Sequence, residues 1–188
     1  MNVGFVSLGC SKNLVDTEML IGIFKNEQYQ IVNNPKMADI IVINTCGFIE
    51  SAKEEAINTI LEMSEYKKQK CKFLIVMGCL VERYKQELEK ALPEVDLFVK
   101  YSEYNTIWEQ IEKVIGKNNS KKCGLNFMDR VITTGNNFAY LRIAEGCSNR
   151  CTYCAIPYIR GAKERRKMED ILEEAEQLAN KGFKKVYR

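Results

Sequence analysis

Three apolar, β-branched runs, each followed by a stretch of helical periodicity, constrain the fold of this chain more than any other feature. NVGFVSL (residues 2–8), DIIVIN (39–44) and KFLIVM (72–77) read as short buried strands, and residues 95–99 offer a fourth. Between them, LVDTEMLIGIFKNEQ carries Val15, Met19, Leu20, Ile23 and Phe24 at helical spacing, and SAKEEAINTILEMSEYKK places Ala56, Ile57, Ile60 and Leu61 on one face. VERYKQELEKAL is a helix that stops before Pro93. A further helix over about 102–115 turns Ile107, Trp108, Ile111, Val114 and Ile115 inward and ends at Gly116. Alternating strands and helices predict an α/β fold, with a parallel sheet covered on both faces, for residues 1–116.

Residues 117–137 are polar, lack periodicity and read as a connector. A second unit, 138–188, then begins with the strand FAYLRI (138–143). It continues through a cysteine-rich loop into the helix KMEDILEEAEQLANKG. Met168, Ile171, Leu172, Ala175, Leu178 and Ala179 share one face of that helix, Gly182 caps it, and KKVYR begins another strand. A βα barrel takes about 250 residues when whole, and here there is one strand, one helix and a stub, so the chain reads either as a fragment or as a truncated gene product.

Composition narrows the chemistry. Hydrophobic residues at 46% and charged residues at 28% argue against disorder, and a net charge of +3 is too small to argue for nucleic acid. No apolar run nears the ~18–20 residues of a membrane span, and the start lacks the basic region of a signal peptide, so a cytoplasmic setting is expected. There are eight cysteines and no histidine, which excludes mixed cysteine–histidine zinc sites and cysteine–histidine nucleophile pairs within the chain. All-thiolate coordination favours an iron–sulfur cluster or a four-thiolate zinc site.

Six cysteines fall into two trios. Cys147, Cys151 and Cys154 lie in EGCSNRCTYCAIPYIRG, close enough along one loop to hold three corners of a [4Fe–4S] cluster. A cluster held wholly by protein takes four thiolates, so three leave one iron open to an outside ligand. The competing reading is a zinc knuckle short of its fourth ligand. Cys10, Cys46 and Cys79 each follow a predicted strand and each neighbours a glycine: Gly9, Gly47 and Gly78. In a parallel sheet such loops emerge together at the carboxyl edge, where ligands bind. They read as a second three-thiolate cluster site, against the alternative of buried free cysteines. Cys71, at the opposite end of its strand, and Cys123, in the connector, read as non-ligands.

SLGCSKNLVDTEM, INTCGFI, MGCL and EGCSNRCTYCAIPYIRG together resemble the methylthiotransferases of the radical S-adenosylmethionine superfamily. The resemblance spans the whole chain and implies an N-terminal methylthiotransferase domain, a linker and the opening of the radical domain. The stretch LGCSKNLVD, Leu8 to Asp16, resembles the branch that modifies an aspartate of a small-subunit ribosomal protein; the tRNA-modifying branch carries a Gln-Met-Asn type sequence after its first cysteine, where Ser11, Lys12 and Asn13 stand here.

The resemblance implies two [4Fe–4S] clusters and S-adenosylmethionine as cofactors. Cys147, Cys151 and Cys154 would hold the radical-generating cluster, and Cys10, Cys46 and Cys79 an auxiliary one. Tyr153 would lie near the cofactor's adenine, unless it is plain core. One S-adenosylmethionine would supply the methyl group and a second the radical that takes hydrogen from the aspartate β-carbon. A reductant protein would serve the clusters. Without the rest of the barrel, little activity is expected from this chain alone. Arg160, Lys163, Arg165, Arg166 and Lys167 form a basic run that reads as a solvated approach to the last helix rather than as contacts to an acidic ligand. A tRNA-adenosine methylthiotransferase, a non-catalytic iron–sulfur carrier and a zinc-bound α/β module are the competing functions.

Overall fold

The computed structural model describes residues 1–117, 124–135 and 137–187. Cys123, parts of the connector and Arg188 lie outside the described residues. Strands β1 (Asn2–Ser7), β2 (Gln30–Val32), β3 (Ile40–Thr45), β4 (Phe73–Gly78) and β5 (Leu97–Lys100) form one sheet in the order β2-β1-β3-β4-β5, every pair parallel. Helices α1 (Ser11–Asn26), α2 (Glu50–Ser64), α3 (Cys79–Ala91) and α4 (Ile107–Ile115) cover it.

Alternation along each strand divides the core into two layers. Val3, Ile40, Val42, Ile75, Met77 and Val99 point to one face, where Leu20, Ile23 and Phe24 of α1 meet Ile107, Trp108 and Ile111 of α4. Ile41, Ile43, Leu74, Val76 and Phe98 point to the other, against Ala56, Ile60 and Met63 of α2 and Leu80, Val81 and Leu88 of α3. β3 is buried along its whole length, which is why its sequence is a continuous apolar run rather than an alternating one. Since α1 and α2 lie on opposite faces, the strand order reverses between β1 and β3. That point, just beyond their carboxyl ends, is where ligands of such sheets bind.

The parallel α/β fold matches expectation, with local differences. β2 is a three-residue edge strand too short to stand out in sequence, and it makes the sheet five-stranded. A 3₁₀ helix occupies Tyr101–Thr106 before α4, and Gly116 ends α4 with left-handed geometry. In α2, Ala56 and Ile60 are buried, but Ile57 and Leu61 are 37% and 46% exposed; Met63 takes the inward place instead.

In the second unit only Phe138–Tyr140 of the expected strand is regular (β6), and it pairs in parallel with β9 (Lys185–Tyr187). Next come β7 (Ala144–Glu145), α5 (Ile156–Arg160), β8 (Glu164–Arg165) and α6 (Met168–Asn180). α6 buries Leu178 and Glu174, while Met168, Leu172 and Ala179 are exposed, so the apolar stripe read from its sequence is only partly covered. Gly182 ends it as expected, with Phe183 N–H donating to the Leu178 carbonyl at 3.1 Å. No helix among the described residues is long and apolar enough to cross a membrane.

Candidate functional site

The β1–α1, β3–α2 and β4–α3 loops carry Cys10, Cys46 and Cys79 at the carboxyl edge of the sheet. Cys10 is the N-cap of α1 and Cys79 the first residue of α3. The glycines beside them let these loops touch. Gly9 has φ +89°, and a Cβ there would stand 2.5 Å from Cys46 Cβ and 3.1 Å from its Sγ. Gly47 lies so close to α3 that a Cβ would meet Leu80 Cα at 2.7 Å and the Cys79 carbonyl oxygen at 3.2 Å. All three cysteines are free thiols, with Cys10 exposed, Cys46 half-buried and Cys79 buried. Burial pushes the Cys79 thiol up to about 11, against the opposing pull of the Arg160 guanidinium. A metal bound there would have to displace its proton.

Cys147, Cys151 and Cys154 lie on one loop whose base is closed by the antiparallel β7–β8 pair, Ala144 opposite Arg165 and Glu145 opposite Glu164. Gly146, at φ +64°, allows the far stem to approach: a Cβ would stand 2.1 Å from the Ala162 carbonyl oxygen. Cys147 N–H donates to the Gly161 carbonyl at 3.1 Å, and Cys154 N–H to the Cys151 carbonyl at 3.1 Å. A cavity of about 420 Å³ is lined by Arg150, Cys151, Thr152, Cys154, Pro157 and Tyr158. Tyr153 is 87% exposed, so it is not core.

Among the described residues no three Cys, Asp or Glu side chains converge in the manner of a single-ion site. The donors fit a cluster in other respects. They are soft, not joined in disulfides, and set on loops whose glycines let backbone and ligand come close. Cys71 is buried two residues before β4, with its thiol raised by burial and donating to the Phe73 carbonyl at 3.4 Å.

Between the two cysteine regions runs a charged seam that sequence reading missed. Asp16, fully buried on α1, accepts from Arg142 and, at 3.0 Å, from Arg160. Glu145 accepts from Arg160 at 3.1 Å, and its other oxygen lies 3.0 Å from Arg142 Nε and 3.4 Å from Lys12 Nζ. Burial raises the Glu145 carboxyl, but Arg142 and Arg160 outweigh it and hold the group below the usual carboxylate range. The Arg160 guanidinium lies 4.6 Å over the Tyr101 ring. A second network joins Glu18 to Arg130 (3.0 Å), Arg130 to Glu174 (2.8 Å) and Glu174 to Arg166. The basic run is therefore divided. Arg160 and Arg166 are held by buried carboxylates, and only Lys163, Arg165 and Lys167 are exposed as expected. A cleft of about 790 Å³ opens along the seam, lined by Asp16, Tyr101, Arg142, Glu145, Tyr158 and Arg160 among others.

A parallel sheet with cysteines on its carboxyl edge, docked through buried charges onto a second cysteine loop, defines a two-part α/β class. The chain belongs to uncharacterized protein family UPF0004, whose model matches residues 2–100, and residues 141–187 match the radical SAM superfamily. It is 62% identical over 186 residues to the ribosomal protein uS12 methylthiotransferase RimO of Alkaliphilus oremlandii, covering 99% of this chain and 42% of that protein. To RimO of Acetivibrio thermocellus it is 51% identical over 197 residues, covering 98% of this chain and 44% of the relative. The resemblance to radical SAM methylthiotransferases of the RimO branch thus extends along nearly the whole chain. The chain spans less than half the length of these curated relatives. Among solved structures, the radical S-adenosylmethionine methyltransferase TsrM from Kitasatospora setae, with tryptophan and a cofactor analogue bound, shares the fold. Its TM-score is 0.62 at 12% identity, over 98% of this chain and 46% of TsrM.

Proposed function

We propose that this chain carries the two cysteine sites of a methylthiotransferase acting on an aspartate of ribosomal protein uS12. Residues 1–116 form its methylthiotransferase domain, 117–137 the linker and 138–188 the start of its radical domain. The observation that carries the reading is the arrangement of cysteines: three loops meet at one sheet edge, across a charged seam from a fourth loop with three more. Cys10, Cys46 and Cys79 hold one [4Fe–4S] cluster, and Cys147, Cys151 and Cys154 the other.

When bound, these clusters and S-adenosylmethionine supply the sulfur, the methyl group and the one-electron chemistry needed at a β-carbon whose hydrogen no ordinary base removes. The protein's part is positional. Each trio presents three thiolates and leaves a fourth coordination place open. Tyr153, projecting into solvent beside Cys154, offers its ring face to the adenine of the cofactor. The buried ion pairs of Asp16 and Glu145 keep the facing surfaces in fixed register, as directed chemistry between two centres requires. A reductant protein delivers electrons. The test is mass spectrometry of uS12 from cells with and without the gene. Loss of a methylthio group from one aspartate is expected. Its retention, or loss of a methylthio group from tRNA instead, overturns the reading.

A further inference from the structure

We propose that Asn13 positions the first cysteine trio, and that its bond to Arg160 ties the loops of that trio into the ion pairs of Asp16 and Glu145 that link it to the second. The inference rests on the reading that Cys10, Cys46 and Cys79 hold a cluster, and adds how their loops are kept in place. Asn13, in the first turn of α1, is fully buried. Its side-chain amide donates to the Leu8 carbonyl at 3.0 Å and to the Thr45 carbonyl at 3.0 Å. Those carbonyls belong to residues just before Cys10 and Cys46. Its oxygen accepts from Arg160 Nη2 at 2.8 Å and faces the Cys79 thiol at 3.6 Å.

A carboxamide has two N–H donors and two acceptor lone pairs, and here all four are engaged. The orientation is fixed by chemistry, since Leu8 and Thr45 present only acceptors and Arg160 only donors. One side chain thus contacts all three loops of the trio. Asn44 Nδ2 donates to the Asn13 carbonyl at 2.8 Å and anchors that turn to β3.

Arg160 carries the link across. It ends α5, which begins two residues after Cys154, and it pairs with Glu145, two residues before Cys147. Both stems of the second loop therefore converge on the guanidinium that bonds Asn13. In sequence, Asn13 is one letter of the Leu8–Asp16 motif and Arg160 one letter of a basic run that reads as solvated. Neither role was visible without their partners.

The test places Asn13→Asp in a chain whose Cys147, Cys151 and Cys154 are alanine, so that only the first site can load. Aspartate keeps an acceptor for Arg160 but turns oxygens toward the Leu8 and Thr45 carbonyls. With circular dichroism unchanged, the variant should lose iron to a chelator about 10-fold faster or more, as removal of a ligand-orienting partner does. It should also show an altered electron paramagnetic resonance signal. Equal retention and an identical signal overturn the inference while leaving the cluster reading intact. Failure of the Asn13 parent itself to bind iron and sulfide sinks both. If Asn13→Asp does not fold, Arg160→Gln and Arg160→Lys in the same background decide. Both should shift the signal, since neither an amide nor a single ammonium reproduces the fork that serves Asn13, Asp16 and Glu145 together, and an unshifted signal in Arg160→Gln overturns the proposal.

Discussion

Gly22→Ala should destabilise this protein although helix propensity says the opposite. Gly22 lies inside α1 and is not among the glycines with positive φ, so alanine should stabilise the helix by about 1 kcal/mol. The obstacle is the 124–135 segment that crosses α1. A Cβ on Gly22 would stand 2.0 Å from the Asp129 carbonyl oxygen and 2.8 Å from its carbon. Ordinary contact begins at 3.4 Å, so backbone must retreat by about 1.4 Å. The next residues along that segment clamp Glu18. Val131 N–H donates to the Glu18 carbonyl at 3.1 Å, Arg130 Nε lies 3.0 Å from its carboxylate, and Thr133 N–H donates to it at 2.6 Å. A stretched hydrogen bond costs about 1 kcal/mol, and breaking a buried ion pair outright costs about 3–5. Arg130 keeps Glu174 and the Tyr140 carbonyl, so only part of the larger figure is lost. Against the helix gain, a net loss of about 2 kcal/mol remains, or roughly 4–8 °C in Tm for a chain of this size. Urea unfolding of the metal-free protein measures it. A variant as stable as the parent, or more stable, would refute the argument that the connector is held rigidly on α1.

Three further outcomes follow from the same structure. Asp16→Asn removes the carboxylate shared by Arg142 and Arg160 and should destabilise by about 3 kcal/mol, read as a lower urea midpoint. Because burial holds the Cys79 thiol protonated up to about 11, its alkylation in the metal-free protein should rise about tenfold per pH unit from pH 8 to 10 without levelling. The unfolded thiol ionises first, so native stability should fall as pH climbs from about 9 towards 11; a plateau in the alkylation rate below pH 9, read by mass spectrometry, would contradict this. Tyr153→Ala should change stability by less than about 0.5 kcal/mol, given its exposure, yet weaken S-adenosylmethionine binding several-fold by calorimetry.

What was legible in the sequence was whatever local pattern determines. β1, β3 and β4 announce themselves as apolar runs, and their order along the chain with helices between them implies a parallel sheet. From there the convergence of Cys10, Cys46 and Cys79 on one edge follows from topology alone. The second trio is local, so its loop could be named directly. What stayed hidden depends on partners far away in sequence. Gln30–Val32 is a strand only because β1 lies beside it. Asp16 and Glu18 look like the wet side of an amphipathic helix, yet their partners are 112 to 144 residues further on, in the connector and the second unit. Glu174 takes an inward place on α6 because Arg130 and Arg166 satisfy it there, which no hydrophobic pattern encodes.

The two-cluster assignment is tested by iron and acid-labile sulfide counted after anaerobic reconstitution of three proteins: the parent, the Cys10/Cys46/Cys79→Ala triple variant and the Cys147/Cys151/Cys154→Ala triple variant. Two clusters in the parent and one in each variant are predicted. Iron without sulfide, or a full complement surviving loss of either trio, would contradict it.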